Sequence, residues 1–353
     1  MPSPKIIPSC ANIVQRNLLP NIPSKWRHQF KFGVQALTLK PFSSLASNAR
    51  QTVRNPHTAS TKIDRLIGNL GLAEALSAAA VNLGFIHPTS IVACDHSDFN
   101  GLSAFVGAVQ TRRGRAVPCL IEAAYSLRLP AHNQTTKRKQ AMRQARHELG
   151  ENLYEQAATS LEQFAARLGF WPRLVFDRGF GGMPFVKRLL QHQAIFYIRL
   201  KAGRYVEVVG QPVPVRALVG ADSIINLNGI QLRVIRSEEP KQGEPWFILT
   251  SDFASSRDQI IQIYYHRFEI EETFKDLKHV LELHQARLFK PLSLKVLLWF
   301  AALSVILSFL TTKWQEKNRH RHPKKTLSHY KMFFEAGQRA AYRPLADLIT
   351  GGL

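Results

Sequence analysis

The chain has little cysteine: three residues in 353, Cys10, Cys94 and Cys119, and no two of them form a CxxC pair. That excludes a zinc ribbon or a disulfide framework as its organising principle and fits a reducing compartment. It also has no P-loop and no GxGxxG fingerprint, so nucleotide hydrolysis and dinucleotide binding have no support. Acidic residues are scarce, 25 Asp and Glu against 47 Lys and Arg, a net charge of +22. An excess of that size makes a polyanion the first partner to consider. No apolar segment follows Met1-Pro2-Ser3-Pro4-Lys5, so no secretory signal is expected. Long hydrophobic runs are also missing, with one near exception. Val296 to Thr312 carries no charge, but at 17 residues it is shorter than the ~20 of a spanning helix. It also contains Ser304, Ser308, Thr311 and Thr312 and follows Lys295. A buried core helix is expected there, and no membrane association.

What is present is enough to build a globular protein. Apolar residues make up 45% of the chain, and its length allows two or three domains. Up to Ser90 there are ten Lys and Arg against only Asp64 and Glu74, a local charge of +8 on a mostly helical pattern. Residues 1–85 therefore read as a basic helical DNA-binding domain, with a solvated helical face as the plainer alternative. From Ser90 the texture changes to short apolar runs. Ser90–Cys94, Ala104–Val109 and Arg115–Ala124 read as strands, and Pro118 marks the third as an edge or a bulge. Basic residues Lys137, Arg138, Lys139, Arg143 and Arg146 follow on a helical pattern. Asn152–Leu168 is an amphipathic helix, Arg173–Phe176 a strand, Pro184–Gln191 a helix and Ala194–Leu200 a strand. This order predicts an α/β sheet with functional groups at strand ends. Residues 204–250 are rich in Val, Ile and turn residues and read as a β-rich insertion. A long helix is expected over Ser256–Leu283.

That helix carries the functional argument. At about 100° per residue, Tyr264, Arg267, Glu271 and Lys278 fall on one narrow stripe beside the apolar stripe Ile263, Ile270, Phe274, Leu277 and Leu281. Glu269, Glu272 and Asp276 project away from it. Two cations, a phenol and a carboxylate on the border of a buried face suit a site that clamps phosphate beside a metal. Surface pairing of Arg267 with Glu271, worth a few tenths of a kcal/mol, is the plainer reading. Two strand-end aspartates shift the balance: Asp95 follows Ser90–Cys94, and Asp177 follows Arg173–Phe176. Three converging carboxylates repel unless cations stand between them. Oxygen ligands alone favour Mg²⁺, with Mn²⁺ tolerated, and two such ions per site support phosphoryl transfer.

The run Tyr264-x2-Arg267-x3-Glu271-x6-Lys278 resembles the tyrosine–arginine–glutamate–lysine signature of DDE transposases from bacterial insertion sequences. Ile263–Lys278 looks like that family's catalytic helix almost throughout. Asp177-Arg178-Gly179-Phe180 looks like its second-aspartate motif, and Asp95 sits where its first aspartate belongs, with Asp98 the runner-up. The motifs span about residues 90–290. The resemblance implies a ribonuclease-H-like mixed sheet flanked by helices, interrupted by a β-rich insertion and preceded by a helical N-terminal domain. On that reading 1–85 binds DNA, 86–203 and 251–316 form the catalytic domain, 204–250 is the insertion and 317–353 a basic tail. It implies Asp95, Asp177 and Glu271 as catalytic acids and ligands of two Mg²⁺ (or Mn²⁺) ions. Tyr264, Arg267 and Lys278 would then grip DNA phosphates. It further implies cut-and-paste transposition, through a hairpin, on double-stranded terminal inverted repeats and target DNA. The expected assembly is a homodimer in the synaptic complex, in the bacterial cytoplasm at the nucleoid. In hairpin-forming relatives a flipped base stacks on an aromatic ring. Trp246 occupies the matching place, with a buried core position as the alternative, and Phe268 stands where relatives often carry Trp. A stand-alone metal-dependent nuclease on the same fold and a non-catalytic DNA-binding inhibitor are the competing readings.

Overall fold

The structure is a computed structural model of the chain. It describes residues 18–34, 55–99, 101–126, 153–208, 210–218, 220–227, 229–238, 245–280, 283, 288 and 290–318. The basic stretch at 137–146 and nearly all of the 317–353 tail lie outside the described residues.

Its centre is one mixed sheet of ten strands: β1 (Ile91–Phe99), β2 (Leu102–Gln110), β3 (Ala116–Tyr125), β4 (Arg173–Phe176), β5 (Phe196–Leu200), β6 (Tyr205–Val208), β7 (Gln211–Pro214), β8 (Asp222–Leu227), β9 (Ile230–Ser237) and β10 (Trp246–Thr250). In space they run β3-β2-β1-β4-β5-β10-β9-β8-β6-β7. The first three form an antiparallel meander. β4 and β5 then add in parallel, each reached through a helix, α4 (Leu153–Leu168) and α5 (Met183–Gln191). Parallel neighbours need such crossovers, whereas antiparallel ones need only a turn. Pro118 lies where its residue type predicts. β3 is the sheet's edge strand, and the register slips beside Pro118, between Gly107 and Ala108 of β2.

The β-rich segment 204–250 continues this sheet. β10 pairs antiparallel with β5 over Phe247–Thr250, and β9, β8, β6 and β7 extend it outward. Tyr205, Ile224 and Ile230 on that extension are exposed.

Strand alternation sends side chains to two faces. Val92, Cys94, Leu174 and Phe176 pack under α4 and α5 with Leu161, Phe164 and Val186. Ala93, Ala104, Val106 and Ala108 face the other way, toward α8 (Pro291–Asn318) and three N-terminal helices, α1 (Ser24–Gly33), α2 (Pro56–Ile67) and α3 (Leu70–Asn82). The uncharged run in α8 is a core helix, with Leu297, Trp299, Phe300 and Ala301 buried. Among the described residues no helix is long and apolar enough to cross a membrane. α1 meets α8 closely: a Cβ at Gly33 would stand 2.2 Å from Cζ of Phe300. Phe30, Leu66, Leu72 and Leu76 belong to the same core. The described helices before residue 85 therefore pack as part of the α/β body.

Candidate active site

Cys94 of β1 pairs with Phe176 of β4 as the last rung of their parallel ladder. The next residue along the chain is in each case an aspartate, Asp95 and Asp177, so register brings the two together where the parallel ladder stops. Sequence reading put Asp95 after its strand. β1 in fact runs on to Phe99, because Asp95–Phe99 stay paired with β2. Asp95 is thus fixed by a backbone ladder on one side while its other side opens beside Asp177. Asp177 caps a 3₁₀ turn, Arg178–Phe180, by accepting the Gly179 N–H at 2.8 Å through Oδ1. Phe180 of that turn is buried and stacks on His96, with centroids 5.3 Å apart and the rings near parallel.

The third acid comes from across the sheet face. The expected continuous helix is broken. α6 (Arg257–Tyr265) ends at His266, and α7 (Phe268–Lys275) restarts one residue beyond Arg267, followed by a π-helical turn, Asp276–Val280. Tyr264, Arg267 and Glu271 stay neighbours across the turn, with the Arg267 guanidinium 5.8 Å from the Tyr264 ring. Arg267, in the turn between the two helices, points into the protein. It is buried, it donates through Nη2 to Oε1 of Glu271 at 2.6 Å, and its Nη1 reaches Oδ2 of Asp95 at 3.4 Å. Its guanidinium lies 4.8 Å over the Phe268 ring. Arg267 thus joins the helix carboxylate to the strand carboxylate. Lys278 sets its Nζ 5.1 Å from the ring centroid of Phe99.

α7 is held by residues that its periodicity assigns to solvent. Glu269 is buried and accepts backbone N–H groups of Thr111 at 2.7 Å, Arg112 at 3.2 Å and Gly114 at 3.3 Å, in the turn between β2 and β3. One turn on, the Thr273 hydroxyl exchanges hydrogen bonds with the backbone of Ala116. Asp276 accepts from Arg115 Nε at 2.6 Å. Residues 269, 273 and 276 recur at i, i+4 and i+7 and dock the helix on the hairpin. Glu272 keeps the expected surface position, near Lys275 and 3.6 Å from Arg115.

Electrostatics register the gathering of acids. Burial, and then Asp177, push the Asp95 carboxyl up to about 7. Arg267 and the His96 N–H pull against that rise, and Glu271 adds to it. A buried carboxyl raised in this way by two acidic neighbours suits a hard divalent cation among the three. Among the described residues no three side chains stand together as a ready ligand set. Arg267 holds Glu271, and the Oδ1 atoms of Asp95 and Asp177 accept backbone N–H groups at 2.8 Å.

The aromatic candidates are placed otherwise than a stacking role requires. Trp246 is fully buried in a core with Val175, Tyr197 and Ile248. Tyr264 covers its ring at 5.4 Å, Phe268 at 5.9 Å and Arg199 at 5.9 Å. It offers no face to a base as it stands, and the core reading fits it. Phe268 is half-buried against it. Tyr264 is buried too, its hydroxyl without a well-formed hydrogen bond, and burial raises it to about 12. Asp98 accepts from the Ser126 hydroxyl at 2.9 Å.

Two neighbours of the acids had no signal in the sequence. His96 keeps both ring nitrogens buried without partners, and burial lowers it to about 4 against the pull of Asp177 and Asp98. Tyr154, at the start of α4, packs edge-on against Phe180 and His96. Only an amphipathic pattern marked α4.

Residues 127–307 match the transposase DDE domain family. The match covers more than half of the chain and includes Asp177 and Glu271, while Asp95 precedes it. No curated protein matches the chain. The chain belongs to the transposase DDE domain family, whose members bind DNA, carry out transposition and DNA recombination, and generally use divalent metals.

Proposed function

We propose that this member of the DDE family is a cut-and-paste transposase of the tyrosine–arginine–glutamate–lysine branch, with Asp95, Asp177 and Glu271 as its catalytic acids. The observation that carries the reading is the meeting of two strand aspartates, adjacent by register, with a glutamate that Arg267 bridges to Asp95. The three carboxylates would hold two Mg²⁺ or Mn²⁺ ions. Bound there, the ions supply an activated water or 3′ hydroxyl and a Lewis acid at the leaving oxygen.

The chain's own residues supply the rest. Arg267 neutralises Glu271 and Asp95 in the free protein. On DNA its planar fork is suited to exchange a carboxylate for a phosphate, since both accept the same bidentate geometry. Asp95 and Asp177 stay fixed throughout by the ladder and by the Gly179 N–H. Lys278 adds a point charge near Phe99, and Tyr264 backs Arg267 from the core side. The net charge of +22 draws the DNA. A hairpin step would require an aromatic face that Trp246 now buries, so the proposal is limited to end cleavage and strand joining within a homodimeric synaptic complex.

The test is cleavage and joining of a labelled duplex copied from the inverted repeat that flanks the coding sequence, with Mg²⁺ against EDTA. Metal-dependent cleavage with joining supports the proposal. Cleavage without joining would identify a nuclease on the same fold, and binding without cleavage an inhibitor.

A further inference from the structure

The gap above Gly179 holds an unassigned group. A Cβ at Gly179 would lie 3.0 Å from Oδ1 of Asp177 and 3.0 Å from the hydroxyl oxygen of Tyr154. The two oxygens thus flank one point and are no more than about 6 Å apart. A side chain at 179 would press on both oxygens, so glycine keeps the gap open, which gives the third residue of the Asp177–Phe180 motif a physical reason. The Tyr154 ring is held on two sides, 5.2 Å from Phe180 and 6.0 Å from His96, edge-on to both. These are the residues that follow Asp177 and Asp95 along the chain. The phenol is therefore packed beside both aspartates, while its residue remains half-exposed.

We infer that Tyr154 is a further substrate-contacting residue, its hydroxyl donating a hydrogen bond to a non-bridging oxygen of the DNA phosphate that Asp177 faces. The inference rests on the function proposed above. A donor is what the place calls for. The surrounding side-chain oxygens are carboxylates, which only accept when ionised, and a phosphate entering beside them brings more acceptors. Arg267 serves the Asp95–Glu271 side, and on the Asp177 side the Gly179 N–H is already taken by Oδ1. Burial, with Asp177 and Asp95 close by, raises the phenol, in keeping with a protonated hydroxyl.

The experiment uses the full chain, the same labelled duplex and single-turnover cleavage in Mg²⁺. Tyr154→Phe keeps the ring on Phe180 and His96 and removes only the donor. It should leave the melting temperature unchanged and duplex affinity within about twofold of wild type, and slow cleavage about ten- to a hundredfold, the size of one hydrogen bond to a charged oxygen felt in the transition state. A second readout is one that packing does not move. Single phosphorothioates, Rp or Sp at the scissile position, should slow wild type, and one diastereomer should slow Tyr154→Phe much less. Unchanged cleavage by Tyr154→Phe, or equal thio effects in both proteins, would overturn the inference. Asp177→Ala run alongside keeps the two levels distinct. If wild type fails to cleave, the proposed function fails. If wild type cleaves, Asp177→Ala does not and Tyr154→Phe matches wild type, only the role of Tyr154 fails.

Discussion

The two halves of the acid cluster are held in different ways. Asp95 and Asp177 belong to adjacent strands whose parallel ladder ends one residue before each. Their separation is a property of backbone register and varies little with side-chain chemistry. Glu271 sits on a two-turn helix that begins after a break at His266 and Arg267 and is docked through side chains, Glu269, Thr273 and Asp276. The strand half is a fixed template. The helix half is a part whose position depends on a few polar contacts and on Arg267, which links it to the template. The metal- and DNA-binding role proposed for the cluster would gain from that division, since one side keeps its geometry while the other adjusts to the ligand.

The largest expected effects remove the acids themselves. Asp177→Ala and Glu271→Ala should each lower cleavage at least about a thousandfold while DNA binding persists, because lysine and arginine contacts to phosphate dominate affinity. Asp95→Asn should do the same to cleavage yet raise the melting temperature in EDTA. It removes a buried charge that Asp177 and Glu271 repel, a gain of about 1–2 kcal/mol. A rate within tenfold of wild type for Glu271→Ala would detach the helix half from the chemistry. A lowered melting temperature for Asp95→Asn would mean that the Arg267 contact outweighs the repulsion.

Next comes the docking of the helix half. Glu269→Ala leaves three hairpin N–H groups without their acceptor, so it should cost about 3 kcal/mol of stability. Urea unfolding followed by fluorescence measures it. The same substitution should reduce cleavage in the remaining folded protein, since α7 loses its anchor while β1 and β4 keep theirs. A loss of stability below 1 kcal/mol would show that Thr273 and Asp276 suffice to hold α7.

Arg267 connects the halves, and its variants sharpen the contrast. Arg267→Ala should slow cleavage ten- to a hundredfold, and Arg267→Lys should recover only part of that, because the charge returns without the fork. Raising Mn²⁺ should not restore the alanine variant to wild-type rates. Full rescue by metal would assign Arg267 to holding the carboxylates alone and remove the phosphate contact from the proposal.

How much of this was legible in the sequence follows from the same division. The end of the parallel ladder announces itself, because buried parallel strands read as apolar runs and the first charge after each run marks where that ladder stops, even though β1 itself runs on beside β2 to Phe99. Ser90–Cys94 and Arg173–Phe176 gave the template in that way. Periodicity placed Glu271 on a helix near an apolar face but could not find the break at His266, where no proline or glycine signals one. Nor could it tell a solvated polar stripe from a docking stripe. Glu269 and Asp276 looked like surface residues because their partners, three backbone N–H groups and Arg115, lie more than 150 positions away in the chain. Trp246 was open between core and stacking for a related reason: burial of a large aromatic depends on what Tyr264 and Phe268 bring to it from another element. The phenol of Tyr154 left no mark at all, since its importance is a matter of which glycine it stands over.

The smallest effect is also the closest control. Glu272 is the immediate neighbour of Glu271, of the same type and on the same short helix, yet it pairs with Lys275 and approaches Arg115 on the surface. Exposed pairs of this kind are worth about 0.2–1 kcal/mol. Glu272→Ala should therefore lower stability by no more than about 0.5 kcal/mol and leave cleavage within twofold of wild type, against the thousandfold loss expected one residue earlier. Successive helix positions point about 100° apart, so the contrast tests whether Arg267 selects one carboxylate by direction. Equal losses from both glutamates would mean that α7 as a whole, not the carboxylate bridged to Asp95, is what cleavage requires, and the assignment of Glu271 as the third acid would have to be given up.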